Sequence, residues 1–292
     1  MTVSTTPVHR VEPTPSAPKP SADQSPLEVP EHLASARRVQ PKNSRLLTAI
    51  SWVLLAWLAL PWAVYRLFRN KAPLWQKLIV IGLGLLPFVV TYALLGIIGF
   101  ASFLPVLDVS VGNRSDRTIT NSIDHYAVTF LKTSRETGGA YELVQVQLGP
   151  RGGNDWHYHT NFVETFTVQT GQLSIGLEGK KIILLPGQRA QAAIRQMHKF
   201  YNQTDKPTTF LVQITPGRGF EKTLRSAYGL MNSGQTDKDG LPKNVWHLCL
   251  LLGYSESYMA GMPGWIQEPL VQSLAKIAQW KGEDKALEQF YK

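Results

Sequence analysis

The chain has 292 residues, with 30 Lys/Arg against 21 Asp/Glu for a formal charge of +9, and a single cysteine. One cysteine excludes an intrachain disulfide framework. The positive charge does not mark a nucleic-acid binder either: residues 1–105 hold 10 Lys/Arg against 4 Asp/Glu and the rest 20 against 17, so most of the excess flanks apolar segments.

Residues 1–45 are rich in Pro, Ser, Thr and charge and poor in large apolar side chains, a composition that cannot bury enough surface to offset the entropy of ordering; a disordered tail is expected. Two uncharged runs follow, 46–65 and 78–107. Each is long enough to cross a hydrocarbon core about 30 Å thick at about 1.5 Å per helical residue. The predicted unit over 46–107 is a hairpin of two transmembrane helices, kinked at Pro61 and Pro87. Its connector carries Arg66, Arg69, Lys71 and Lys77, while Trp52, Trp57, Trp62, Trp75 and Tyr65 suit the interfaces. The apolar stretch begins too deep in the chain and runs too long for a cleavable signal peptide. Two spans leave both termini on one side. Arg37, Arg38, Lys42 and Arg45 compete with the connector for the inner face, and the difficulty of moving a basic tail across the bilayer favours a cytosolic C-terminal domain.

Residues 108–218 form the next predicted domain. From about 127 to 216 the sequence is a series of short β-rich runs with Gly, Asn and Pro between them, as in an antiparallel sandwich or small barrel. His157 and His159 flank Tyr158, and in a strand residues i and i+2 point to the same face, so two imidazoles can converge on one ion. Glu164 follows across a short turn, and His198 comes from a later strand. Three imidazoles and a carboxylate suit Fe, Mn, Ni, Cu or Zn and leave one or two positions of a six-coordinate ion open for water, oxygen or substrate. Arg195, Gln145, Gln147 and Tyr158 are candidates for substrate contact, against plainer readings as surface or packing residues. Asn202 reads as a turn residue.

This pattern resembles the cupin superfamily. Its first motif is matched by His157, His159, four residues, Glu164, six residues and Gly171; its second by Gly187, His198 and Asn202 at the family intervals. The resemblance covers roughly 120–216 and implies an all-β double-stranded β-helix barrel with the metal inside. The chain departs from it at Arg151, where the first motif opens on glycine, and at Ala193-Ile194-Arg195, where the second has Pro-x-Gly. An arginine in place of that glycine predicts a different turn before His198.

Residues 219–292 read as a helical extension with segments 220–232, 244–259 and 264–292, the last carrying Ile266, Leu270, Leu274 and Ile277 at helical spacing. That stripe is expected to pack on the barrel, with His247 and Cys249 as ordinary packing residues. The leading expectation is a membrane-anchored metalloenzyme, dioxygenase- or isomerase-like, acting on a small oxygen-bearing or anionic molecule. A non-catalytic metal- or ligand-sensing barrel is the alternative. The expected partners are the lipid bilayer and a small molecule, with a homodimer as a further option and no nucleic acid.

Overall fold

The computed structural model describes residues 73–292 other than 122, 124 and 125, together with Trp62, Tyr65, Arg66 and Arg69. The tail over 1–45 and nearly all of the first apolar run therefore lie outside the described residues. The second run forms α1, Leu74–Ser102, a helix of 29 residues and about 43 Å. It starts earlier than expected because Pro73, at φ −62°, has the fixed φ that suits a helix start. It ends earlier because Pro105 disfavours helical backbone just before it. Among the described residues α1 is the one helix long and apolar enough to cross a membrane, and much of its apolar surface is exposed, including Leu78, Leu86, Val89 and Leu95.

Eleven strands follow among the described residues. They are β1 (Thr118–Thr120), β2 (Ala127–Lys132), β3 (Glu142–Leu148), β4 (His157–His159), β5 (Val163–Thr170), β6 (Leu173–Leu177), β7 (Lys180–Leu184), β8 (Arg189–Ala192), β9 (His198–Tyr201), β10 (Thr208–Thr215) and β11 (Ser257–Met259). They make two antiparallel sheets, ordered β1-β2-β3-β10-β5-β8 and β11-β4-β9-β6-β7. Strict alternation drives the assembly: Val144, Val146 and Leu148 of β3, Phe166 and Val168 of β5, and Phe210, Val212 and Ile214 of β10 point inward and are buried. Gln145 and Gln147 alternate to the outside.

Three helices follow β10: α2 (Phe220–Asn232), α3 (Val245–Ser255) and α4 (Gly264–Trp280), and a 3₁₀ turn leads into a last short helix, α5 (Glu288–Tyr291). The predicted helix over 244–259 ends four residues early. Glu256, at φ 47°, closes it, and the next three residues become β11, paired with β4 as Ser257 to His159, Tyr258 to Tyr158 and Met259 to His157. The predicted helix over 264–292 breaks at Gly282, whose φ of 79° suits glycine.

The helix that packs on the barrel is α2, whereas the helix carrying Ile266, Leu270, Leu274 and Ile277 packs chiefly on α3 and α1, so the barrel is not what that stripe mainly meets. One face of α2, with Phe220, Leu224, Ala227, Tyr228 and Met231, covers the barrel core. Its opposite face is polar and also buried. Lys222 donates to the carbonyl of Asp108 at 2.7 Å between the rings of Tyr254 and Tyr291, and Arg225 binds Glu221 at 2.9 Å and Asp116 at 3.2 Å. The linker leaving α1 therefore lies across the outside of α2. α4 packs against α3, and the end of α1 meets α4 where Phe100 stands edge-on to Trp280, centroids 5.4 Å apart.

Candidate metal centre

The quartet read from the spacing converges inside the barrel. One ligand atom from each of His157, His159, Glu164 and His198 lies within 4.8 Å of the others. The imidazoles come from the five-stranded sheet, where His157 on β4 is paired with His198 on β9, and Glu164 comes from β5 of the opposite sheet. The cluster thus bridges the two layers. His159, Glu164 and His198 are buried and His157 is partly buried.

Each imidazole is oriented by its outer nitrogen. Nδ1 of His157 lies 2.8 Å from the carbonyl of Asp155, that of His198 2.8 Å from Gln196 and that of His159 3.1 Å from Ser255. A carbonyl only accepts, so all three Nδ1 atoms carry the proton and donate, and all three Nε2 atoms face inward, those of His157 and His159 with a free lone pair and that of His198 holding a proton towards Glu164 unless an ion replaces it. Such backbone carbonyls are the usual partners of metal-ligating histidines. Inside the ring of ligands the accounting does not close with protein atoms alone. Nε2 of His159 is buried without a hydrogen-bond partner, and Nε2 of His198 faces the Glu164 carboxylate at 3.0 Å.

Electrostatics sharpen this. Burial pushes His157 and His159 down, the latter to about 3. Burial also opposes charge on Glu164, but the surrounding imidazoles outweigh it and hold the carboxyl at about 2. Burial disfavours the charged form of His198 as well, yet its hydrogen bond to Glu164 raises it. Near neutral pH the cluster is a buried carboxylate among mostly neutral imidazoles, a donor set that fits a divalent transition metal.

A cavity of ≈ 290 Å³ reaches His157, His159 and Glu164 and is walled on one side by α2, which contributes Phe220, Thr223, Leu224 and Tyr228. The other sequence candidates sit elsewhere. Arg195 forms a bidentate pair with Glu268 of α4, Nη2 to Oε2 at 2.7 Å, and Tyr158 donates to the same carboxylate at 3.0 Å. Gln145 donates to Gln169 on the outer face, and Gln147 is exposed. Asn202 holds its turn, accepting from the backbone of Thr204 and donating to the carbonyls of Gly149 and Lys206. His247 is buried among the helices, apart from the cluster, and Cys249 is half-buried there.

One expectation is corrected. Arg195 keeps the left-handed backbone, φ 61°, that the family's glycine would supply, and Arg151 does the same at the other departure, φ 61°. The turn before His198 is thus one that glycine could also adopt: the amide of Arg195 donates to the carbonyl of His159 at 2.7 Å, fixing the approach to the third histidine. Ser255 and Ser257, which flank the outer nitrogen of His159, were not legible as site residues, because they lie in a segment that reads as helix.

The chain is similar to several solved proteins over about a third of its length. KdgF from Halomonas sp. is 18% identical with a TM-score of 0.32, over 37% of this chain and 93% of its own. A predicted oxalate decarboxylase from Thermotoga maritima is 16% identical with a TM-score of 0.32, over 37% and 98%. A sugar phosphate isomerase of the cupin superfamily from Silicibacter pomeroyi is 27% identical with a TM-score of 0.29, over 38% and 75%. No curated protein matches the sequence. Residues 144–214, the stretch from β3 to β10 that contains all four cluster residues, match the family model of the Cupin domain.

Proposed function

We propose that the protein is a membrane-anchored metalloenzyme that binds one divalent transition metal through His157, His159, Glu164 and His198 and acts there on a small oxygen-bearing molecule, in an oxygenase- or isomerase-like reaction. The observation that carries it is the inward set of three Nε2 atoms and one carboxylate, three of whose four residues line one cavity. When bound, the ion supplies Lewis-acid or redox chemistry at its open positions. The chain's own part is to hold and cover. Three backbone carbonyls fix the imidazoles, Glu164 contributes the only formal charge among the described residues of the cavity wall, and α2 covers one side of the cavity with Phe220, Leu224 and Tyr228. The anchoring is supported by the length and exposed apolar surface of α1, and the charge pattern of the tail favours a cytosolic barrel.

One observation favours a second reading, a binding or sensing module without turnover. Among the described residues no Lys, Arg or further acid lines the cavity beside the cluster, which offers no separate general base there. The test is elemental analysis of the purified full chain, followed by oxygen uptake and mass-shift screening of pooled metabolites in the iron and manganese forms. About one equivalent of metal is expected, lost in His157→Ala and His198→Ala. Its absence from the parent protein defeats both readings, and metal without any product favours the sensor.

A further inference from the structure

Resting on the metal reading above, we infer that the ligand of this barrel is an apolar molecule of about the size of a single substituted ring, with one oxygen-bearing head turned to the metal cluster. The ≈ 290 Å³ cavity stands at the small end of ligand pockets, which run roughly from 300 to 1,000 Å³. Its wall away from the cluster is hydrocarbon and aromatic: Val146, Phe200 and Val212 from the strands, Phe220 and Leu224 from α2.

The polar groups on that wall are already engaged. Tyr126 donates its hydroxyl to the carbonyl of Gly153, Thr223 to Gly219 at 3.0 Å and Ser255 to Leu251 at 2.9 Å; Asn154 accepts from the amide of Phe200 at 2.8 Å. A phosphorylated ligand would therefore bring its charge to a wall with no cation among its described residues, and a polyhydroxylated one would press most of its hydroxyls against hydrocarbon. The side chains able to recognise such groups point away: Arg195 is paired with Glu268 and Gln145 with Gln169. Phe220 and Leu224 of α2 are partly buried and border the hollow, so their apolar side chains face whatever fills it. The ligand's body packs against them.

Two chelators with the same head test this. Acetohydroxamate and benzohydroxamate differ in the apolar body alone, and their affinities for the metal-loaded full chain in detergent are measured by calorimetry, with glucose 6-phosphate as the charged, hydroxylated comparator. Benzohydroxamate is expected to bind at least tenfold more tightly than acetohydroxamate, and glucose 6-phosphate more weakly than either. Leu224→Trp, which fills the hollow, should lower the benzohydroxamate-to-acetohydroxamate ratio at least fivefold at unchanged metal content. Equal affinity of the two hydroxamates, or tighter binding of the sugar phosphate, overturns the inference while leaving the metal centre intact. Failure of the metal reading looks different: neither hydroxamate binds and no metal is found. The parent ratio decides the matter even if the variant does not fold.

Discussion

Two arginines hold backbone positions that glycine would occupy without strain. For an L-residue the left-handed region costs roughly 1–2 kcal/mol, and Arg151 and Arg195 both stand there. They are not equivalent. Arg195 returns something, since its guanidinium ties β8 and the approach to His198 to α4 through Glu268. Arg151 makes only an exposed pair with Asp205, and such pairs contribute little. Arg151→Gly is therefore expected to stabilise the protein by about 0.5–1 kcal/mol, seen as a raised unfolding midpoint in detergent; a lowered midpoint would refute the strain argument. Glu142 offers a second residue-scale test. It is buried at the head of β3, where it accepts from the amides of Arg218 at 2.8 Å and Glu221 at 2.9 Å, and burial pushes its carboxyl up to about 7. The unfolded chain releases this proton near its ordinary value of 4.5 and the fold retains it to higher pH, so this group's contribution is full below 4.5 and is lost as pH rises to about 7. Glu142→Gln should flatten the fall in stability across that window relative to the parent, and parallel profiles would show that Glu142 does not cause it.

Among the elements, α2 carries the most. Its apolar face was not singled out in the sequence, where the stripe that stood out was Ile266, Leu270, Leu274 and Ile277 of α4, and periodicity does not say which helix covers the barrel. Its other face runs against expectation, because Lys222 and Arg225 are both fully buried, where charged side chains rarely sit unless paired. Arg225 lies over the ring of Phe130, its centroid distance 4.6 Å, and joins Glu221 and Asp116, so α2 is fixed to both the barrel and the linker. Arg225→Met leaves the Glu221 carboxylate buried without its cation, and a loss of about 3–5 kcal/mol is expected. Adding Glu221→Gln should recover part of that loss, and a double variant no more stable than the single one would argue against the pair. The sequence made the ligand quartet readable because residue type and spacing survive without knowledge of tertiary contacts. The strand β11 was not readable, since Ser257, Tyr258 and Met259 continue an apolar run and only the left-handed cap at Glu256 releases them from the helix. Gln145 and Gln147 were legible as sharing a face, whereas which face it was depended on the register of β3 with β10.

At the scale of the whole molecule, a barrel domain is joined through a short linker to a long apolar helix. If α1 lies in a bilayer, the chain should remain in the membrane pellet after alkaline carbonate extraction, and release into the supernatant would count against anchoring. Leu86→Arg with Val89→Arg places two guanidinium groups near the middle of α1, at about 2.5–3.5 kcal/mol each on an insertion scale, and should move protein out of that pellet. Protease should then digest the barrel in inverted vesicles and spare it in right-side-out ones, the reverse pattern placing the barrel on the outer side.

The carbonyl that orients His159 belongs to Ser255, the last residue of α3, and the strand pairing that follows runs through the same histidine. Occupancy of the barrel and order in the C-terminal helices are thereby joined in one thermodynamic cycle. Whatever factor the seated helices add to metal affinity, the metal must return to the seating of the helices. A chelator added to the holoprotein should accordingly loosen amide protons on α3, which begins at Val245, and on β11, both far along the sequence from the last ligand, His198, before it disturbs the far strands of the barrel.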